Sequence, residues 1–137
     1  MEMSSVEVNV NTSITKLFTF LTDTRNFVLL LPEDKISDWK ADETSCSFKV
    51  QNAVTISLLQ KELNPFTEIL LESGEKSPFP FNLTIKLKEN GEEFTLAQLE
   101  FNGEVNAFLK MMVQKPLMNL FNHMAEKLKA HYDENRI

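Results

Sequence analysis

The feature that most constrains this chain is its last long apolar stretch, Asn106 to Tyr132. Read as one helix, it spans about 27 residues and roughly 40 Å. Asn106 suits an N-cap. Leu109, Val113, Leu117, Leu120, Phe121, Met124 and Leu128 then fall within a stripe roughly 120° wide at about 100° per residue. Such a stripe must face a core. Beyond Leu120 the opposite side carries Asn122, Glu126 and Lys129, as a solvated face should. Before it the opposite side carries Phe108, Met111, Met112 and Met118, so this first half is expected to be covered on both sides. Pro116 has no N–H for the carbonyl of Met112, and its ring crowds the preceding turn at a cost of about 3 kcal/mol. This predicts a kink, which either bends the helix around a curved sheet or separates a packed half from a half that lids a cavity.

The segments before the helix read as strands. Val6, Val8 and Val10 alternate with polar residues, the period-two pattern of a half-buried strand. Asn11, Thr12 and Ser13 supply cap chemistry for a short helix through Ile14, Leu17, Phe18 and Leu21. Asp23 and Thr24 start a second one through Phe27, Leu30 and Leu31, which Pro32 ends. Six strands follow: Ile36–Ala41, Thr44–Val50, Val54–Leu63, Phe66–Ser73, Asn82–Glu89 and Phe94–Asn102. The connections are short and polar, and Asn90-Gly91 is the strongest hairpin signal. Consecutive strands on short turns form an antiparallel meander. Pro78-Phe79-Pro80 is expected to be an extended loop that exposes its aromatic. A chain of 137 residues with 42% hydrophobic content supports one core, hence a single domain over residues 1–137.

These segments call for an α+β fold: a seven-stranded curved antiparallel sheet around a long C-terminal helix, with two short helices between the first two strands. The Val-rich first strand, the Leu21-Thr22-Asp23-Thr24-Arg25-Asn26-Phe27 link, Leu31-Pro32, Trp39 and the Pro-interrupted terminal helix together resemble the START-related SRPBCC superfamily, the birch-pollen-allergen-like helix-grip proteins. The resemblance covers nearly the whole chain. It implies a cavity between sheet and terminal helix that binds hydrophobic small molecules such as lipids, sterols or polyketides. Some members of that superfamily are cyclases, hydrolases or dioxygenase components, so the fold leaves binding and catalysis both open.

Alternation assigns the inward side chains: Val6, Val8, Val10, Cys46, Phe48, Val50, Val54, Ile56, Leu58, Ile69, Leu71, Phe81, Leu83, Ile85, Leu87, Ala97, Leu99 and Phe101. None is ionised at neutral pH. General acid–base chemistry needs a titratable group within reach of the substrate, and these walls supply none. His123, at the edge of the helix stripe, and Gln51 and Gln60, bordering inward positions, are the polar groups able to reach the interior. Cys46 has no evident base beside it and reads as an inert buried thiol. Asp23 and Arg25 read as a helix cap with an exposed cation. His123 and His131 are too far apart to share a metal, and the lone cysteine supports neither a disulfide nor a thiolate metal site. Neither metal nor cofactor is expected.

The formal net charge of −6, without a basic cluster, argues against nucleic acid as a partner. No stretch approaches the 18 or so unbroken apolar residues of a membrane span, and the first ten residues lack a signal-peptide core. A cytoplasmic protein is therefore expected. On the outward sheet face Leu59, Leu70, Phe94 and Leu96 interrupt the polar pattern and would suit a homodimer. The expected function is binding of a hydrophobic small molecule without catalysis. The expected cavity residues are Phe27, Leu30, Phe48, Val50, Ile56, Leu71, Leu83, Ile85, Leu99, Phe108, Leu109, Met112 and Val113. The alternatives are an enzyme of polyketide cyclase or dehydratase type and a protein-interaction module with a filled core.

Overall fold

The computed structural model describes residues 1–51 and 54–134. Its terminal helix, α2 (Ala107–Glu134), starts from Asn106, whose Oδ1 accepts from the Leu109 N–H at 2.9 Å. The helix runs unbroken through Pro116 and buries Val113, Leu117, Leu120, Phe121, Met124, Ala125 and Leu128. At about 1.5–3 kcal/mol per large buried side chain, that face outweighs the roughly 3 kcal/mol an interior proline costs.

Eight strand segments lie beneath it: β1 (Glu2–Ser4), β2 (Val8–Val10), β3 (Ile36–Ala41), β4 (Ser45–Val50), β5 (Val54–Asn64), β6 (Glu68–Ser73), β7 (Phe81–Glu89) and β8 (Thr95–Gly103). They form one antiparallel sheet in the order β1-β8-β7-β6-β5-β4-β3, with β2 also paired to β8. The sheet thus has seven positions, and the first is split. Ser4 pairs with Glu100 but Val8 with Ala97, so the edge strand holds one residue more than its partner. Ser5 fills the break: its N–H donates to the Leu99 carbonyl at 2.8 Å and its hydroxyl accepts from the Leu99 N–H at 3.0 Å.

The extra residue corrects one expectation. Side chains alternate with period two, so one inserted residue reverses which parity faces inward. Met3 and Ser5 face in before the break, Val8 and Val10 after it, and Val6 is 44% exposed. The Val6 N–H donates to Asn122 Oδ1 of α2 at 2.8 Å, tying the helix to the split edge. Every other strand residue expected to face inward is buried. Two more irregularities curl the sheet, one in β5 between Gln60 and Glu62 and one in β3 between Ser37 and Lys40. At the latter, Asp38 has φ 55°, and Trp39 stacks on Phe48 at 6.1 Å.

Helix α1 (Ile14–Leu21) is capped by Ser13 and presents Leu17, Phe18 and Leu21 to the core. The second helix, Thr24–Leu30, is 3-10 and not α. Its buried residues, Thr24, Phe27 and Leu30, recur every third position, which matches a helix of three residues per turn. A further 3-10 turn, Glu33–Lys35, leads into β3.

Phe79 corrects a second expectation. It is 6% exposed, with ring centroids 5.9 Å from Phe81 and 6.3 Å from Phe101. Phe101 in turn lies 5.1 Å from Phe81 and 5.4 Å from Phe121. The loop bends at residues 77–79, where an extended path was expected, and the ring turns inward, so an aromatic string joins loop, sheet and helix. Gly103 makes room for it: a Cβ there would stand 3.0 Å from the Phe101 ring and 3.1 Å from Phe81 Cβ. Gly103→Ala is therefore expected to destabilise the fold by about 1–3 kcal/mol through overpacking. Urea unfolding at fixed pH measures this, with an unchanged midpoint as the contrary result.

Candidate functional site

Helix α2 lies nearest to β1, β2, β8 and the Thr24–Leu30 helix, on one side of the sheet. Toward β4 it leaves a gap of about 280 Å³. Three elements line it: Pro32, Asp34 and Lys35 around the 3-10 turn, Val50 and Gln51 at the end of β4, and Pro116, Asn119, Leu120 and His123 on α2. The turn is fixed against the strand by backbone bonds. The Lys35 N–H donates to the Pro32 carbonyl at 3.0 Å, and the Gln51 N–H donates to the Lys35 carbonyl at 2.7 Å. Gln51 leaves β4 with φ 51°, a left-handed conformation uncommon outside glycine.

The floor is apolar, since Val50 and Leu120 are each 2% exposed and the two prolines flank them. The rim is polar: Asp34, Lys35, Gln51, Asn119 and His123. Among the described residues none of these five side chains has a hydrogen-bond or ion-pair partner. Wider hollows of about 490 and 580 Å³ lie on the sheet face that α2 does not cover. They are shallow and open, lined by residues such as Lys40, Ser47 and Ser57 in one and Lys61, Thr84 and Glu100 in the other. Neither has the mixed sheet-and-helix walls of the gap.

The expected cavity residues divide into three groups. Phe27, Leu30, Phe48, Val50, Ile56, Leu71, Leu83, Ile85, Leu99 and Val113 are all buried in one continuous apolar cluster. Leu109 packs against that cluster and is partly buried. Phe108 and Met112 are 72% and 54% exposed, and Met111 is 84% exposed. The first half of α2 is therefore not covered on both sides, and Phe79 is committed to Phe81 and Phe101. Of the thirteen, Val50 lines the gap.

Of the polar groups singled out in the sequence, His123 and Gln51 both line the gap. Gln60 does not, because its side-chain amide donates to the Thr22 carbonyl. Asp34, Lys35 and Asn119 were not anticipated. Asn119 lies one turn before His123 on the same helix face, a spacing legible in the sequence. Asp34 and Lys35, the second and third residues after Pro32, offered no signal beyond a helix stop.

Asp23 caps the 3-10 helix through the Arg25 N–H and pairs with Arg25 Nη2 at 2.7 Å. The hydrogen bond to Arg25 holds the Asp23 carboxyl below its ordinary range, and Asp23 raises Arg25. Asp42 shapes the β3–β4 turn, accepting from the Thr44 and Ser45 N–H groups at 2.9 and 2.8 Å, and these bonds lower its pKa. Among the described residues no cluster of three His, Cys, Asp or Glu side chains is placed to hold a metal. No described helix is long and apolar enough to cross a membrane.

No protein-family model matches this sequence, and none of the curated proteins matches it either. Solved structures do match. A START superfamily protein from Mycobacterium smegmatis superposes with a TM-score of 0.69 at 12% identity, covering 97% of each chain. The chain has a START-type fold. A protein from Thermus thermophilus shares this START-type fold with a TM-score of 0.73 at 14% identity, covering 100% of both chains. A norcoclaurine synthase point mutant from Thalictrum flavum, in complex with a transition-state analogue, gives 0.72 at 11% identity, covering 100% of this chain and 96% of that one. At these identities the likeness is one of START-type architecture alone.

Within this START-type fold the Cys46 thiol is buried, 4% exposed. Burial, with a smaller contribution from Asp42, pushes its pKa up to about 12. A maleimide at pH 8 is expected to label Cys46 only in denaturant, and rapid labelling of native protein would contradict this. The unfolded thiol releases its proton near pH 9 and the folded one near 12. Across that window the unfolded state binds fewer protons, so stability falls as pH rises. The fall should be shallower in Cys46→Ala when urea midpoints are compared.

Proposed function

We propose that this protein binds a compact hydrophobic small molecule in the gap between the sheet and α2, without chemistry on it. The observation that carries this reading is the gap's construction: an apolar floor of Val50, Leu120, Pro32 and Pro116 under a polar rim drawn from three elements. Ligand sites are concave and mostly apolar, with a few polar groups that fix orientation. At about 280 Å³ the gap is just below the range of about 300–1,000 Å³ typical of such sites. It suits a small guest as it stands. A larger one would need side chains of the packed apolar core to part.

His123 favours a second reading, a cyclase- or dehydratase-type enzyme, because it is a titratable group lining the gap. A catalytic histidine is ordinarily held in one tautomer by a partner on its other nitrogen. Among the described residues His123 has no such partner, which supports binding over catalysis. The exposed Phe108, Met111 and Met112 favour a third reading, a protein-interaction module. Light scattering would reveal self-association of that kind.

Trp39 is the chain's one tryptophan and stacks on Phe48 beside Val50, so its fluorescence reports on the site. Titration with octan-1-ol is expected to change that signal saturably. Native mass spectrometry should show one molecule bound. Val50→Phe, which fills the floor, should weaken binding at least tenfold while the far-ultraviolet circular dichroism is kept. No saturable change in the wild type, together with no co-purifying species, would overturn the proposal.

A further inference from the structure

The face of the sheet that α2 leaves uncovered carries a cluster that the hydrophobic gap does not use. Beside the edge strand β3 lies a hollow of about 240 Å³ whose polar lining is Asp38, Lys40, Ser47, Lys49, Thr55 and Lys76. Three ammonium groups meet one carboxylate there. The chain as a whole has a formal net charge of −6, so this local excess of positive charge runs against its composition.

Each lysine is brought to the hollow by a separate piece of the fold. From Ser37 to Lys40 β3 takes three steps where β4, from Lys49 to Ser47, takes two. Asp38, with φ 55°, lies in that bulge. Without the extra residue Lys40 would share the parity of Ile36, which pairs with the buried Val50. With it, Lys40 stands opposite Ser47 on the outer face. Lys49 lies two residues from Ser47 on that face and pairs with Thr55 of β5. Lys76 arrives from the turn after β6, which is bonded down onto β5. The Gly74 N–H donates to the Ser57 carbonyl at 2.9 Å, and the Ser57 N–H donates to Ser77 Oγ at 2.9 Å. Glycine at 74 permits this approach, since a Cβ there would run into Ser57 Oγ.

The three lysines have no internal counter-charge. Among the described residues none of them lies within ion-pair distance of a carboxylate, whereas Lys86 and Lys129 pair with Glu100 and Asp133 at 3.0 and 2.6 Å. Asp38 lines the hollow without bridging any of them. The wider hollow alongside shares Lys40, Ser47 and Lys76 and adds Glu75 and Asp42, the latter already bonded to the Thr44 and Ser45 N–H groups.

We propose that this hollow binds the phosphate of a phosphomonoester, with Lys40, Lys49 and Lys76 as its charge partners and the Ser47 and Thr55 hydroxyls donating to its oxygens. A phosphomonoester carries close to two negative charges at neutral pH and three strong acceptor oxygens, which match the local excess. A carboxylate brings one charge, and an ammonium group would meet three of its own sign. The site lies on the opposite face of the sheet from the gap, so it stands or falls apart from the hydrophobic reading.

The test titrates 15N-labelled protein with methyl phosphate, acetate and methylammonium, following backbone amides by NMR. Methyl phosphate should shift the amides of Lys40, Ser47, Lys49 and residues 74–77 saturably, with an affinity that falls as salt rises. It should bind at least about threefold more tightly than acetate, and methylammonium should not bind. Lys49→Gln should weaken methyl phosphate about threefold or more, the scale of one exposed charge pair. Asp38→Asn, which keeps a residue tolerant of φ 55°, should strengthen it, and Lys127→Gln on α2 should leave it unchanged. Co-sedimentation with phosphatidylcholine vesicles carrying phosphatidate, lost in Lys49→Gln, would assign the phosphate to a lipid headgroup; methyl phosphate binding without co-sedimentation assigns it to a soluble molecule. The absence of saturable shifts would overturn the site. So would acetate binding as tightly as methyl phosphate, or Lys127→Gln weakening binding as much as Lys49→Gln, because either would reduce the effect to diffuse charge.

Discussion

The structure depends on the seating of α2 against one side of the curled sheet. Leu117, Leu120, Phe121, Met124, Ala125 and Leu128 bury its second half, and two long-range contacts set its position. One is the Phe101–Phe121 ring contact at 5.4 Å, and the other is the Asn122–Val6 hydrogen bond at 2.8 Å. The first is apolar and contributes through area and ring geometry. The second is directional and removes an orphan N–H at the split in the edge strand. Together they hold the helix toward β1, β2 and β8, and the gap near β4 is the space this placement leaves.

The sheet is shaped by its irregularities as much as by its pairing. An inserted residue in the edge strand, one in β3 and one in β5 each bend the ladder locally and increase its twist. At the far end of α2, Phe20 of α1 packs against His131 and Tyr132, with ring centroids 5.2 and 5.7 Å away. The helix is therefore clamped by aromatic contacts near its middle and its C-terminal end. Phe108, Met111 and Met112 at its beginning have no comparable cover.

The site follows from the same geometry. The interior it encloses is one of aliphatic and aromatic side chains. The polar groups of the gap are gathered at its rim: Asp34, Lys35, Gln51, Asn119 and His123. Sequence reading found His123 and Gln51 because they sit at the edges of apolar patterns. It missed Asp34 and Lys35 because charged residues after a Leu-Pro helix stop resemble any solvated turn.

Local pattern was enough to establish the strands other than Glu2–Ser4, the terminal helix with its buried stripe, and the caps at Ser13, Asp23 and Asn106, while the START-type layout came from a resemblance. Period two and period 3.6 are properties of neighbours in the chain, and so are legible there. Which way Val6 points, whether Phe79 is buried, and where the gap opens were decided only in three dimensions. Each turns on partners far apart in sequence: Val6 with Asn122, Phe79 with Phe101, and the Pro32–Lys35 turn with His123. A chain states its own periodicity, but a contact between distant segments exists only once both have been brought to the same place.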